Sequence, residues 1–506
     1  MTKEYKLHRK LNARLINMIA IGGSIGTGIF VASGNAIHTA GPGGTMLAYL
    51  IIGLMVYFLM TSLGEMAAFM PTTGSFYLYA NNFVDPAFGY ALGWNYWYNW
   101  ALTVASEISA ASLVMQFWFP HTAPFIWNAL AFSLFVGLNA LSARGFGEAE
   151  YWFSFIKVST IVIFICTGTL LIFGFFGHEH TGFKNWMIGG SPFQGNWTAV
   201  LGAIMIAGFS FQGTELIGIA AGECKDPGEN IPKAIKQVFW RILLFFVLSI
   251  FIISLLVPYT SPELASSDVE MSPFTLVFKE MGIPFAASLI NAVILTAILS
   301  AGNSGMYAST RMLWYLAKKK HVPEIFARVT ARGIPIYALG ATTLVCLLAF
   351  LSSLFGNGTV YFWLLNASSL CGFIAWLGIA ISHYRFRKAY LLQGRDLKKL
   401  PYVAKGYPYA PLLAFFLCVL IIAGQNYQAF IGKQIDWQGV LISYIGLPLF
   451  ILLWLGYKWV HKTKIVDLQH ASFKSERLGE EDEEVLPQPS FCEGQGARSD
   501  KRRHEC

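Results

Sequence analysis

Three ionisable side chains stand deep inside apolar runs of this sequence: Glu107, Lys157 and Glu215. A charge in hydrocarbon is costly, and where one occurs it marks a substrate or ion path, a proton relay or an internal pair. Lys157 lies in Phe155-Ile156-Lys157-Val158, roughly two turns from the nearer membrane face. It works either inside the protein or by snorkelling to the headgroups. Glu107 shares one helix face with Tyr96, Trp100 and Thr103, at steps of 4, 3 and 4 residues. That stripe either lines a pocket, with Trp100 walling it and holding a cation on its ring, or only packs. Glu215 closes the segment Phe209-Ser210-Phe211-Gln212-Gly213-Thr214-Glu215. A buried carboxylate needs a partner, here a substrate ammonium or a protein cation. Glu223, about two turns further on, fits a gate or a loop contact. Ser300, Asn303, Ser304 and Ser309 make one late apolar run polar; they hydrogen-bond between helices or touch a ligand.

These side chains need a frame, and the frame has two interruptions. Ile21-Gly22-Gly23-Ser24-Ile25-Gly26-Thr27-Gly28-Ile29-Phe30 sits inside an apolar run from about Leu15 to Ile37, long enough to span a bilayer. Glycine costs about 1 kcal/mol per residue in a helix interior, so four within seven residues predict a helix that unwinds here. Unwound backbone at membrane depth must line a cavity or be buried in protein. Its free N–H groups make a site for an anion such as a carboxylate. Close helix packing through Gly22 and Gly26 is the other reading of the same spacing. The second interruption, Phe209 to Glu215, breaks the apolar run Ala199 to Ala221. Two interrupted helices in corresponding places of two halves point to a transporter's substrate site.

Composition bounds the class. Hydrophobic residues are 55% of the 506 residues and charged residues 13%, which predicts a polytopic membrane protein. The net charge of +8 falls on loops of one side, so it implies no nucleic-acid partner. Seven cysteines form no metal or disulfide pattern. No Walker loop, H-E-x-x-H or G-x-S-x-G motif is present, so no enzyme, cofactor or metal is expected. The basic N-terminus lacks an A-x-A-like cleavage site and reads as mature chain rather than signal peptide.

Apolar windows predict twelve spans, centred near Ser24, Met55, Trp100, Phe132, Ile163, Ser210, Leu248, Leu295, Thr343, Gly372, Leu420 and Leu449. Lysine and arginine concentrate in the N-terminus and in alternate loops, notably Lys318 to Lys320 and Arg385 to Lys405, while the opposite loops carry only Lys184, Lys279 and Lys433. That asymmetry places both termini in the cytoplasm. Spans one and six then run in opposite directions, as an inverted five-plus-five repeat requires. The expected organisation is a cytoplasmic N-terminus at 1–14, a first repeat at 15–196, a second at 197–405, two extra helices at 406–465 and a disordered cytoplasmic tail at 466–506, whose Glu480-Glu481-Asp482-Glu483-Glu484 run cannot build a core.

The two interrupted motifs, together with Gly222-Glu223-Cys224-Lys225-Asp226-Pro227-Gly228-Glu229-Asn230-Ile231-Pro232, resemble the amino acid permeases of the amino acid–polyamine–organocation superfamily. Ser142-Ala143-Arg144-Gly145-Phe146-Gly147, Asn303-Ser304-Gly305-Met306-Tyr307 and Ile381-Ser382-His383-Tyr384-Arg385 are similar to the bacterial lysine-specific permeases of that superfamily. The resemblance covers about residues 5 to 465. It implies an all-α fold of two inverted repeats, with helices one and six unwound mid-membrane and alternating access. It implies that backbone at Ser24, Ile25, Gly26, Thr27 and Gly28 takes a substrate carboxylate. Carbonyls near Phe209, Ser210 and Phe211 would take the α-ammonium, with one phenylalanine gating. Tyr96, Trp100, Lys157, Glu215 and Glu223 fall on positions implicated in these permeases, and Asn303 is a further candidate contact. In sodium-coupled relatives a sodium ion sits between helices one and eight; in many proton-coupled members a helix-five lysine replaces it, and Lys157 occupies that place. Glu107 and Glu223 remain as a second acid or gate. The implied function is proton-coupled import of L-lysine through the inner membrane. A basic amino acid exchanger or a broader amino acid permease is the alternative. A lysine sensor acting on a membrane-bound transcription regulator is an alternative of another class.

Overall fold

Long apolar runs satisfy their backbone N–H and C=O groups along the chain when they coil, and in lipid only helices and closed barrels can do so. The computed structural model follows that rule: it is all-helical over the residues it describes, which are 25–140, 143–175, 182–190, 192–224, 226–265, 272–280, 284–426, 428–431 and 435–474. Ser24, the N-terminal stretch 1–14 and the acidic run of the tail lie outside the described residues.

The longer helices are α1 (Ser33–Phe69), α2 (Ser75–Phe83), α3 (Pro86–Gln116), α4 (Pro124–Asn139), α5 (Ala143–Ile172), α6 (Trp197–Phe211), α7 (Leu216–Ala220), α8 (Pro227–Arg241), α9 (Ser249–Leu256), α10 (Pro273–Glu280), α11 (Pro284–Lys318), α12 (Ile336–Cys346), α13 (Asn357–Leu392), α14 (Tyr409–Gly424), α15 (Trp437–Tyr444) and α16 (Gly446–His461). Among the described residues, seven helical stretches are long and apolar enough to cross a membrane, or eight if α15 and α16, bent by 52°, form one span; α4 and α14 are shorter apolar helices. Leu130, Ile163, Phe416, Leu420 and Leu452 point outward, the pattern of a surface solvated by lipid rather than water.

Three local features set the site. A wide π-type turn, Gly28–Ala32, leads into α1. Inside α1, Gly41 takes φ +71 and is followed by Pro42, which has no N–H to give the helix. Segment 192–194 fills the break: Gly43 N donates to the Pro192 carbonyl at 2.7 Å and Gln194 N to that of Ala40 at 3.0 Å. A β-carbon on Gly41 would meet both backbone groups at 2.8 Å, so the position demands glycine. Between α6 and α7, Gln212 and Gly213 (φ +94) turn the chain out of the helix. Gln212 Nε2 reaches the carbonyls of Ser368 and Ser369 on α13, each at 3.3 Å, and Gly372 leaves the room, since a β-carbon there would lie 2.0 Å from Gln212 Nε2.

The core is α3 packed against α11 and α13, with α1 against α6 on the other side. Near the ends of α1 and α13, Glu65 is fully buried and takes both Nε (2.5 Å) and Nη2 of Arg387, plus the backbone N–H of Ala404 at 2.6 Å. Removing one member of such a pair would strand the other. Residues 466–474, which the sequence assigns to the tail, lie against the body: Val466 N donates to the Val84 carbonyl at 2.9 Å, and Phe473 is buried among Phe69, Phe83, Phe386 and Tyr390. Burial of a full phenylalanine ring stabilises by about 2 kcal/mol, enough to seat a short strap.

Candidate functional site

The backbone leading into the π-turn and the break between α6 and α7 face each other. They enclose, with α3 and α11, a cavity lined by Gly26, Thr27, Gly28, Trp100, Thr103, Glu107, Phe209, Ser210, Gln212 and Ala301. Its free space is about 20 Å³, roughly one water molecule, so the walls must part to admit an amino acid. Residues 26–28 and the end of α6 are in near contact. A β-carbon on Gly28 would sit 2.4 Å from Ser210 Cα, and one on Gly26 would sit 2.9 Å from Ala301 Cβ and 3.2 Å from Glu107 Oε1. Glycine at both positions lets two backbones and a carboxylate converge.

Glu107 is the acid in this cavity. Its Oε1 accepts from Thr27 Oγ1 at 2.9 Å, while Oε2 is buried without a partner among the described residues. A bare carboxylate oxygen beside an enclosed space is poised for a cation or a proton. Ser210 Oγ meets Tyr49 OH at 2.9 Å, and Thr103 Oγ1 meets Ser368 Oγ at 2.5 Å. Trp100 closes one wall, its ring edge lying against Gly305, where any larger residue would displace it.

Lys157 stands next to this cavity rather than in it. Fully buried, it donates to the Ile25 carbonyl at 3.1 Å and to Ser300 Oγ at 2.8 Å. Ser300 Oγ in turn donates to Glu150 Oε1 at 2.6 Å, and Glu150 lies 3.9 Å from the Lys157 ammonium. The network ties the start of the first described helix to α5 and α11. Glu150 is absent from the sequence-based candidates, because an acid near a helix start is ordinary. The available signal was spacing: Glu150 and Lys157 are seven residues apart, two turns along one face.

Glu215 lies outside the cavity lining. Its carboxylate accepts from Gly213 N at 3.1 Å, Trp376 Nε1 at 3.2 Å and Tyr96 OH at 3.5 Å. Protein donors therefore already satisfy it. Trp376, 161 residues away in the chain, carries no sequence signal for this role. Phe209 reaches the cavity, whereas Phe211 stacks on Phe246 at 4.2 Å. Asn303 Oδ1 accepts from Asn139 Nδ2 at 2.8 Å, linking α11 to α4. Glu223 ends a short turn, Ala221–Glu223, and its side chain is outside the described residues. The structure thus gathers Gly26, Thr27, Gly28, Trp100, Glu107, Phe209 and Ser210 in one place, sets Ile25 and Lys157 beside them, and leaves Tyr96, Phe211, Glu215 and Asn303 off the lining. Among the described residues, no group of His, Cys, Asp and Glu could hold a metal ion.

Known proteins resemble this chain along most of its length. It is 59% identical over 471 residues to the lysine-specific permease of Escherichia coli (strain K12), covering 92% of this chain and 96% of that protein. It is 50% identical over 475 residues to the lysine-specific permease of Lactococcus lactis subsp. cremoris (strain MG1363), covering 92% and 93%. The histidine permease of the same Lactococcus strain is 48% identical over 480 residues, covering 94% of this chain and 100% of that protein. The profile of the amino acid permeases matches residues 16–470. With its apolar helices and a match to the amino acid permeases along most of its length, this multi-pass membrane protein belongs to the amino acid permease family.

Proposed function

We propose that the chain imports L-lysine through the inner membrane by proton-coupled symport with alternating access. The observation that carries this reading is the pairing of a glycine-lined backbone, Gly26 to Gly28, with Glu107 Oε2, which has no partner among the described residues, across one small cavity. A zwitterion with an extra ammonium needs both an N–H-rich backbone and a carboxylate. The names of the two lysine-specific relatives support lysine as the substrate.

In this reading the chain has twelve spans in two inverted five-helix repeats, 15–196 and 197–405, followed by two helices at 406–465. Both termini are cytoplasmic, and spans one and six are unwound at mid-membrane. The backbone from Ser24 to Gly28 binds the carboxylate. Carbonyls near Phe209, Ser210 and Phe211 bind the α-ammonium, Trp100 walls the site, and Tyr96 holds Glu215 near it. Asn303 and Glu223 act behind the site, as a scaffold contact and a gate. Lys157 is the proton-coupling group. While charged, it holds the Ile25 carbonyl; on losing its proton it releases that segment and the inner path opens. The proton is thus a ligand that shifts a two-state equilibrium. A membrane-bound transcription regulator is a further proposed partner.

Uptake of labelled lysine into liposomes under imposed proton or sodium gradients tests the reading, with arginine, histidine and neutral amino acids as competitors. Histidine matters because one close relative is named a histidine permease. Equal inhibition by histidine and lysine would replace lysine selectivity with a broader permease. Stimulation by internal lysine alone, with no gradient effect, would indicate exchange.

A further inference from the structure

A second cavity lies away from the substrate site, on the flank of the helix bundle. The first half of α3 and the middle of α16 leave a groove of about 300 Å³ between them, lined by Tyr90, Trp94, Tyr98, Leu449, Phe450 and Leu453 among others. The α16 side continues outward into exposed Leu452 and Leu455, so the groove borders the surface that lipid covers. Its walls are apolar and aromatic apart from Asn95, whose Nδ2 donates to the Cys371 carbonyl at 2.8 Å. Trp94 Nε1 is buried and has no hydrogen-bond partner among the described residues. In a site that excludes water, an indole N–H in that condition calls for an acceptor.

The Tyr90 end of the groove is positively charged. The Tyr90 ring stacks on Tyr457 at 4.3 Å and meets His321 at 5.2 Å, and Tyr457 lies 4.1 Å from His461. His321 and His461 meet these rings, and the basic residues Lys318, Lys319 and Lys320 at and just past the end of α11 and Lys462 and Lys464 just past α16 adjoin them in the chain. Lys320, Lys462 and Lys464 are exposed. Of the acids at this end, Asp85 is already taken by Lys458 and by Thr463 Oγ1 at 2.7 Å, and Asp467 by His470 at 2.8 Å. His321 is itself held by Tyr77 OH at 2.6 Å. Cations gathered at the end of a membrane-facing groove favour an anion there, and basic pockets between spans recognise lipid phosphates in this way.

We propose that the groove binds an anionic phospholipid, with one acyl chain between α3 and α16 and the phosphate among Lys320, Lys462 and Lys464. The Trp94 N–H donates to an ester oxygen at the head of that chain. The ligand differs from the annular lipid around the rest of the protein in being selected by charge. It shares no lining residue with the substrate cavity.

Tryptophan quenching by brominated lipids tests this on the full chain. The protein would be reconstituted in phosphatidylcholine vesicles and titrated with brominated phosphatidylglycerol, or with brominated phosphatidylcholine of the same chains. The Trp94 contribution is the difference between wild type and Trp94→Phe. The expected result is a saturable quenching phase with brominated phosphatidylglycerol alone. Lys462→Gln with Lys464→Gln should weaken it about fivefold per lysine removed, and Leu453→Phe, which fills the groove, should abolish it. Equal quenching by the two lipids would mean annular lipid only and overturn the proposal, as would a saturable phase unchanged in the lysine variant. Those lysines are exposed, so the test holds even if Leu453→Phe fails to insert.

Discussion

The ammonium of Lys157 reaches across the fold to the backbone carbonyl of Ile25, 3.1 Å away, and fixes the start of the first described helix to α5. A backbone carbonyl buried away from water needs a donor or a cation, and here one ammonium is both.

Gly26 tests whether backbone forms the binding surface. Its missing side chain is what lets Ala301 and Glu107 close on the chain, with a β-carbon coming to 2.9 and 3.2 Å of them. Gly26→Leu should therefore reach the membrane at normal levels and lose lysine binding by more than about a hundredfold, the order expected from a side chain in place of a ligand group. Scintillation proximity with labelled lysine would measure it. Normal affinity in a well-folded Gly26→Leu protein would rule out this surface.

The two buried acids should separate by chemistry. Glu107 offers the cavity an oxygen with no partner among the described residues, while Glu215 is satisfied by three protein donors. Leaving a desolvated ammonium without its counter-charge costs several kcal/mol. Glu107→Gln should weaken lysine at least about tenfold more than a neutral analogue of similar length. Glu215→Gln should weaken both alike. The reverse pattern, measured by competition binding, would return charge selection to Glu215.

Much of this site was legible in the sequence, for identifiable reasons. Glycine clusters and charges inside apolar runs are local signals, and Gly26, Glu107, Lys157 and Ser210 all declare themselves that way. The partners of those groups do not. Whether Glu215 faces a ligand or a protein donor depends on Trp376, which arrives from α13. Glu150 looks like an ordinary acid at a helix start until Ser300 of α11 closes over it. The strap at 466–474 is polar enough to pass for tail, and only the slot between Phe69, Phe83 and Phe386 gives Phe473 a reason to fold. Tertiary partners override local composition in each case.

Cys224 offers a probe of the proposed inner path. It follows the Ala221–Glu223 turn and is 3% exposed, and burial pushes its thiol up to about 12. At pH 7.5 it holds very little thiolate, the reactive species. A variant retaining Cys224 as its sole cysteine should react with maleimide at least about a hundredfold more slowly than an exposed thiol of ordinary pKa. Lysine with an inward proton gradient should speed the reaction. A rate unaffected by both would mean that this side does not open.

His321 supplies a pH dependence of known sign. Burial, then the nearby charges of His461 and Lys319, hold its imidazole down to about 4. An unfolded histidine takes its proton near about 6.5, so between those values the unfolded chain binds more protons and stability rises with pH. In zwitterionic detergent, thermal stability should fall as pH drops from 6.5 towards 4, and His321→Gln should fall less steeply. Above pH 7 the slopes should coincide. Identical slopes across the whole range would contradict the assignment.

In the proposed mechanism, protonation of Lys157 couples the gradient to lysine movement. The direct measurement is accumulation of labelled lysine in liposomes carrying wild type or Lys157→Ala, under an inward proton gradient and, separately, an inward sodium gradient. Wild type should concentrate lysine with the proton gradient and ignore sodium, while Lys157→Ala retains some binding but loses accumulation. Accumulation that requires sodium, or that persists in Lys157→Ala with its proton dependence intact, would contradict the account.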